Sequence, residues 1–221
     1  MDNLNKFIEH TLLKQDAKKE DLIKLFAEAK EHNFLGVCVN PCYVKMAKDF
    51  LKDTDVKVVT VIGFPLGANT TETKIFETIQ AVKDGADEID MVINDSKVKD
   101  GETDYIVEEI KLIKSACGGH NLKVILETDL LTKEEIKYAC ECAVKGGADF
   151  VKTSTGFVKG GVGAKVEDVE LMYNTVKEAV MNVKASGGSR DRETAIKMIG
   201  AGASRLGTSS GVKIVGVEAV F

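Results

Sequence analysis

The sequence predicts an α/β fold: a single (β/α)8 barrel domain over residues 1–221 with a short N-terminal helical extension. Three observations support this prediction. Small-residue turns that begin at Gly85, Gly147 and Gly202 each end a helical stretch and precede an apolar strand. The strand candidates are mostly continuous runs of Val and Ile, as expected for parallel strands covered on both faces. The strand–helix units recur about every 30 residues, a spacing typical of such barrels.

Seven strand candidates are clear, and a short one at 10–13 supplies the eighth. Glycine favours the left-handed conformation that ends many helices, which explains its recurrence just before these strands. In chain order the eight candidates are 10–13, 36–40, 57–64, 88–94, 123–128, 150–156, 182–188 and 205–210.

Apolar residues at helical spacing lie between the strand candidates. They form one face of 103–116 (Ile106, Ile110, Ile113) and one face of 166–181 (Val169, Met172, Tyr173, Val176). Strands that alternate with helices form either a closed barrel or an open doubly wound sheet. The even spacing, and the lack of a GxGxxG turn before a helix, favour the closed TIM barrel.

Composition excludes several classes of function. Hydrophobic residues make up 44% of the chain and charged residues 29%, a balance that suits one globular core. The net charge of −5 argues against nonspecific nucleic-acid binding. No run approaches the roughly 20 apolar residues of a membrane span, and the first residues do not resemble a signal peptide. Five cysteines without a CxxC pair predict reduced thiols, no metal site and a cytoplasmic protein.

Three ionisable residues lie inside apolar strand candidates: Asp90, Lys152 and Lys184. One interpretation places each at a strand end with its charge in solvent. The other uses the geometry of a barrel, in which the ends of separate strands converge on one mouth. Two lysines and a carboxylate meeting there are the equipment of an aldolase that forms an imine with its substrate.

The second lysine would lower the pKa of the first and so increase its neutral, nucleophilic fraction. An isolated lysine has a pKa of about 10.4, so very little of it is neutral at pH 7. A second ammonium nearby and burial among apolar neighbours both disfavour the charged form. A carboxylate with a bound water can then move the protons that carbinolamine formation and carbon–carbon cleavage require.

Two turns rich in glycine and hydroxyl groups follow the last two strands, at 186–189 and 207–211. In phosphate-binding barrels the loops after strands seven and eight hold the phosphate through backbone N–H groups. Gly187 and Gly188 would let the backbone approach an anion, and Ser209 and Ser210 would add hydroxyl donors. An ordinary strand-to-helix turn is the alternative interpretation of each.

With these residues in view, the chain resembles the deoxyribose-phosphate aldolases of bacterial type. The resemblance runs from HTLLK at 10–14 to GTSSGVKIV at 207–215 and includes GVCVNP, VIGFPLG, GADEIDMVIN and KVILET in the expected order. Its most specific part is KTSTGF, followed about thirty residues later by KASGG.

The resemblance implies reversible cleavage of 2-deoxy-D-ribose 5-phosphate to D-glyceraldehyde 3-phosphate and acetaldehyde, without a metal or organic cofactor. It implies a Schiff base on Lys152, a tuning and proton-transferring role for Lys184 and an acid/base role for Asp90. It also implies substrate contacts in a further set of residues: Thr155, Gly187, Gly188, Ser209 and Ser210. Members of the family are usually homo-oligomers, either dimers or tetramers.

Some positions depart from the family pattern. An aliphatic residue is usual where Ser189 stands, Thr is frequent at the position of Lys165, and a small residue or Cys is common at that of Asp129. Asp191-Arg192 replaces the usual Thr-Lys type of helix start. None of these departures falls on the three predicted catalytic positions, and Ser189 is the one nearest the predicted phosphate loop.

Three further residues receive structural interpretations. His10 is expected to make a structural hydrogen bond, Cys38 to be a small buried residue, and Glu127 to lie behind the residues that contact substrate. Two rival functions share the barrel. A transaldolase-like or keto-acid aldolase would use Lys152 on a different donor, and a catalytically inert phosphate-binding barrel would form no imine.

Overall fold

The closed barrel is confirmed, and the open doubly wound alternative is wrong. A computed structural model describes residues 3–216, in which each strand pairs in parallel with its sequence neighbours and the eighth pairs with the first. The strands are β1 (Ile8–Leu12), β2 (Gly36–Val39), β3 (Lys57–Ile62), β4 (Glu88–Val92), β5 (Asn121–Ile125), β6 (Phe150–Lys152), β7 (Asn182–Ser186) and β8 (Ala203–Thr208).

Helices cover the outside of the barrel. Those in the described residues are α1 (Lys19–Glu31), α2 (Val44–Leu51), α3 (Thr71–Lys83), α4 (Asp95–Lys99), α5 (Thr103–Ala116), α6 (Lys133–Gly146), α7 (Val166–Val176), α8 (Arg192–Gly200) and α9 (Gly211–Val215). No helix between residues 3 and 216 is both long enough and apolar enough to cross a membrane. The single-domain prediction also covers 1–2 and 217–221, which lie outside the described residues.

Several predicted boundaries need correction. The N-terminal extension is one 3-10 turn, Leu4–Phe7, within the described residues, and β1 begins two residues before the predicted strand. The helix predicted over 166–181 is shorter than expected. α7 ends at Val176, and Val180, four residues later, has a left-handed backbone with φ 57°. Tyr173 is 41% exposed and does not share the buried face of α7. The helix predicted over 103–116 has the predicted bounds.

The turns before β4, β6 and β8 have the conformation that their glycines predict, with positive φ at Gly85, Gly147 and Gly202. The aspartate of the first turn also joins two strands. Asp87 accepts hydrogen bonds from the Val58 amide at 2.8 Å and from the Lys48 ammonium at 2.7 Å. This carboxylate holds the start of β3 at the amino-terminal end of the barrel, opposite the mouth where catalytic groups are expected.

Strand alternation separates an apolar layer from a charged one. In β4, Ile89 and Met91 belong to the apolar core beneath the helices. Glu88 and Asp90 point to the opposite side, the barrel interior, because successive side chains of a strand alternate between its faces. Both carboxylates are buried, with at most 1% of their surface exposed. The barrel interior is therefore where the unusual chemistry of this chain is concentrated.

Candidate active site

The three ionisable residues predicted from the strands meet inside the barrel. The Lys152 and Lys184 ammonium groups donate to the same oxygen of Asp90, Oδ2, at 2.8 Å and 2.7 Å. None of the three is more than 3% exposed, so the interpretation that placed their charges in solvent is wrong. Strand register explains the meeting, because Lys152 lies directly opposite Lys184 between β6 and β7.

Sequence reasoning missed other members of this buried cluster. Lys123 lies 3.1 Å from Asp90 Oδ1 and 2.5 Å from Glu88, and Lys184 also donates to Glu9. Glu88 precedes Asp90 by two residues and therefore shares its face of the strand, a signal that was present in the sequence. Lys123 opens a strand candidate, where a charged residue is easily mistaken for an exposed strand end.

Mutual pairing keeps this cluster charged. Burial disfavours the ionised carboxylate of Asp90, but Lys123, Lys152 and Lys184 outweigh it and hold the pKa of Asp90 well below its usual range. Burial likewise opposes the charge of Lys184, and the Asp90 and Glu9 carboxylates outweigh it, so the pKa of Lys184 is raised. These carboxylates therefore favour the charged form of Lys184, which shares its Asp90 oxygen with Lys152.

A cavity of about 580 Å³ opens above this cluster. Six of the eight predicted site residues line it: Lys152, Thr155, Gly187, Gly188, Ser209 and Ser210. The remaining two lie beneath it: Asp90 pairs with Lys152, and Lys184 pairs with Asp90, so the structure brings all eight together. A cavity lined by one lysine and two glycine-rich turns can hold a carbonyl group near the lysine and an anion near the turns.

The two predicted phosphate turns are joined to each other. The Thr208 hydroxyl donates to the Ser189 carbonyl at 2.8 Å and accepts from the Ser210 amide at 3.0 Å. Gly187 and Gly188 have φ of 74° and 77°, which glycine adopts without strain. Ser189 is 2% exposed, and its hydroxyl has no hydrogen-bond partner among residues 3–216. Ser189 thus lines the cavity, but its hydroxyl is buried there.

Comparison with known proteins identifies the family. The model of the family described as DeoC/LacD family aldolase matches residues 6–215, nearly the whole chain. This chain belongs to that family. The prediction of an enzyme, a carbon–carbon lyase of the aldolase class, is therefore confirmed.

Curated relatives confirm the resemblance drawn from the motifs. The deoxyribose-phosphate aldolase of Brevibacillus brevis is 57% identical over 213 residues, which cover 96% of this chain and 95% of the relative. That of Finegoldia magna is 56% identical over 212 residues, covering 96% and 98%.

Solved structures agree with the architecture of this aldolase. A tetrameric deoxyribose phosphate aldolase from Aeropyrum pernix superimposes with a TM-score of 0.87 at 33% identity, covering 97% of this chain and 90% of that one. QR15, an aldolase, gives 0.92 at 45% identity and covers 97% and 95%.

Glu127 positions Thr155 in this aldolase. The Thr155 amide donates to Glu127 Oε1 at 3.2 Å, and its hydroxyl donates to Oε2. The same hydroxyl accepts from the Phe157 amide at 3.0 Å, which leaves its direction fully determined. Glu127 is buried and adopts a left-handed backbone with φ 51°, uncommon for a residue with a side chain. It therefore lies behind Thr155, as the sequence analysis expected.

His10 and Cys38 also have the surroundings expected of them. His10 is 3% exposed, and its Nε2 lies 2.8 Å from a Glu28 carboxylate oxygen, the structural hydrogen bond that was predicted. Cys38 is fully buried within the barrel, and burial raises the pKa of its thiol. The aldolase thus keeps this thiol protonated.

Asp95 is a neighbour of Glu127 that affects stability rather than chemistry. Burial, and then the Glu127 carboxylate, raise the pKa of Asp95 from 3.8 to about 7. Its Oδ1 is buried without a hydrogen-bond partner in the described part of the chain. The folded aldolase therefore binds the carboxyl proton of Asp95 more tightly than the unfolded chain does. The resulting loss of stability grows as the pH rises from about 4 to 7 and stays constant above.

Asp95→Asn should relieve this cost. We expect the free energy of unfolding to rise by about 1–3 kcal/mol near pH 8, with a gain that shrinks towards pH 4. Urea unfolding of both proteins across this pH range measures the difference. A gain of equal size at every pH would contradict the carboxyl titration as its cause.

Proposed function

We propose that this aldolase reversibly cleaves 2-deoxy-D-ribose 5-phosphate to D-glyceraldehyde 3-phosphate and acetaldehyde through a Schiff base on Lys152. The curated relatives described above are deoxyribose-phosphate aldolases. The observation that carries the proposal is the position of Lys152. It lines the cavity shared with the two glycine-rich turns, and its ammonium shares Asp90 with Lys184.

The proposed reaction begins at the substrate aldehyde. The neutral amine of Lys152 attacks carbon 1 of the open-chain sugar, and the carbinolamine that forms loses water to give a protonated imine. Removal of the proton from the 3-hydroxyl then breaks the bond between carbons 2 and 3. The electron pair moves into an enamine, and glyceraldehyde 3-phosphate leaves. Protonation of the enamine at carbon 2 and addition of water release acetaldehyde and restore the lysine.

Asp90 and Lys184 suit the proton transfers of this sequence. Asp90 is ionised and accepts from both ammonium groups, so through a bound water it can take up and return protons. Among residues 3–216, Lys184 is held by two carboxylates, Asp90 and Glu9, whereas the Lys152 ammonium pairs with Asp90 alone. We therefore assign the nucleophile to Lys152, and to Lys184 the electrostatic tuning of Lys152 and assistance in proton transfer.

The substrate phosphate would lie against the turns 186–189 and 207–211. We expect other backbone N–H groups of these glycine-rich turns to bind the anion, with Ser209 and Ser210 on the same cavity wall. Thr155, directed by Glu127, would contact the sugar between the phosphate and Lys152. In this arrangement the aldehyde end of the substrate would lie at the barrel core and its phosphate near solvent.

The remaining parts of the proposal concern the protein as a whole. We propose a single aldolase domain over residues 1–221 that assembles as a homodimer or homotetramer and serves the breakdown of deoxynucleosides. A tetrameric relative from Aeropyrum pernix supports oligomer formation. Location in the cytoplasm is proposed because all five cysteines are free thiols. That the enzyme needs no metal or organic cofactor stays a prediction.

Borohydride reduction in the presence of acetaldehyde tests the proposed function. We expect a stable ethyl adduct on Lys152, together with cleavage of deoxyribose 5-phosphate in a coupled assay. Trapping by a ketose or keto-acid donor instead of acetaldehyde would favour the rival Schiff-base aldolases. No adduct with any carbonyl donor would favour a phosphate-binding barrel without catalysis.

Replacing Lys184 tests its electrostatic role. Lys184→Leu removes the cation that shares Asp90 with Lys152, so the acid limb of imine formation should move to higher pH. Activity should fall as well, and raising the pH should restore only part of it. Lys184→Arg keeps the charge, so its pH profile should stay nearly in place while the rate falls.

The measurement is the pH dependence of borohydride trapping at Lys152 in the wild type and both variants. Three superimposable profiles would mean that burial alone activates Lys152, with Lys184 acting on substrate or on the strand end.

A further inference from the structure

The loop between β6 and α7, residues 153–165, packs against the turn that is proposed to hold the phosphate. A Cβ added to Gly163 would lie 2.7 Å from the carbonyl carbon of Gly187, so the two glycines meet backbone to backbone. The next amide, that of Ala164, donates to the Ser186 carbonyl at 3.1 Å. A Cβ on Gly188 would lie 3.1 Å from the carbonyl oxygens on both sides of Gly163. A shift of Gly163 therefore moves the phosphate turn.

One side chain fixes Gly163 in place. The Gly163 amide donates to Asp129 Oδ2 at 2.8 Å, and the Lys165 ammonium lies 3.5 Å from Asp129 Oδ1. The Asp129 side chain is 9% exposed, whereas that of Lys165 is 40% exposed. Asp129 and Lys165 are two of the positions at which the sequence departs from the family pattern, and the structure pairs them.

We propose that Asp129 is a positioning residue that sets phosphate affinity by holding Gly163 against Gly187, with Lys165 orienting its carboxylate. The inference rests on the proposed function in taking the turn 186–189 as part of the phosphate site. The two partners contribute unequally. A hydrogen bond to a well-buried carboxylate is stronger than an ion pair whose lysine is partly exposed.

The chain contains a matched control at the other end of the barrel. Asp87 also accepts one backbone amide, that of Val58 at 2.8 Å, and one half-exposed lysine, Lys48 at 2.7 Å. Asp87→Ala therefore removes contacts of the same two kinds, one to a backbone amide and one to a lysine, without changing the loop 153–165 or the cavity. Asp129→Asn is the conservative variant, because it keeps an acceptor oxygen for Gly163 and loses only the charge.

Calorimetric titration with inorganic phosphate measures the effect directly. We expect Asp129→Ala to weaken phosphate binding about tenfold, Asp129→Asn to recover part of the loss, and Lys165→Thr to weaken it about twofold. Asp87→Ala should bind phosphate like the wild type. In steady-state assays, Asp129→Ala should raise KM for deoxyribose 5-phosphate by the same factor. Its KM for deoxyribose without phosphate, and kcat, should change little.

Three results would overturn the inference: unchanged phosphate affinity in both Asp129 variants, equal rises in KM for both sugars, or no phosphate binding by the wild type. Failure of the proposed function gives a different result. A wild type that binds phosphate but neither traps acetaldehyde nor cleaves the sugar would refute the reaction, while the titrations would still decide the role of Asp129.

Discussion

Lys152→Ala is expected to abolish cleavage of deoxyribose 5-phosphate. The side chain at 152 is the lysine that reaches the cavity from the buried cluster, and Lys123 and Lys184 are each held by at least two carboxylates. Neither can move to the substrate without leaving buried carboxylates unpaired, which is costly. The loss should therefore be complete within the limit of the coupled assay, and borohydride should trap no acetaldehyde on the protein.

Lys152→Arg separates the nucleophile from the charge. Arginine keeps a cation beside Asp90, but its guanidinium stays protonated and cannot attack a carbonyl carbon. We expect this variant to fold, as judged by circular dichroism, and to be as inactive as Lys152→Ala. More than a few percent of the wild-type rate in either variant would refute Lys152 as the residue that forms the imine.

Asp90→Asn should lower the rate by two or more orders of magnitude, the loss typical of removing a general base. The amide has nearly the same shape, but it cannot take up a proton and its NH2 group faces ammonium donors. Asp90 accepts from Lys123, Lys152 and Lys184, so the variant also leaves three buried cations with one carboxylate fewer. We therefore expect a loss of stability of about 3–5 kcal/mol in addition to the loss of rate.

Chemical denaturation and circular dichroism distinguish the two effects of Asp90→Asn. A folded variant with a hundredfold lower kcat supports the acid/base role, and a folded variant with nearly full activity contradicts it. A variant that does not fold would show that Asp90 serves chiefly to pair the lysines. In that event the Lys184 variants, which leave Asp90 in place, still test proton transfer at Lys152 through their pH profiles.

The sequence by itself was sufficient for the fold class and for the residues expected to react. Runs of Val and Ile, and glycines placed before strands, are local signals, and their conformational preferences act within a few residues. Asp90, Lys152 and Lys184 stood out because a charge inside an apolar strand is costly wherever that strand lies. The turns at 186–189 and 207–211 were recognisable from their own composition.

Only the tertiary structure decided which charges are partners. Lys123, Glu9 and Glu88 join the cluster through strand register, which depends on pairing between segments far apart in the chain. In the sequence, Asp129 and Lys165 are two separate departures from the family pattern. The loop after β6 pairs them in the structure. Such pairings are determined by closure of the whole barrel, so local sequence patterns do not encode them.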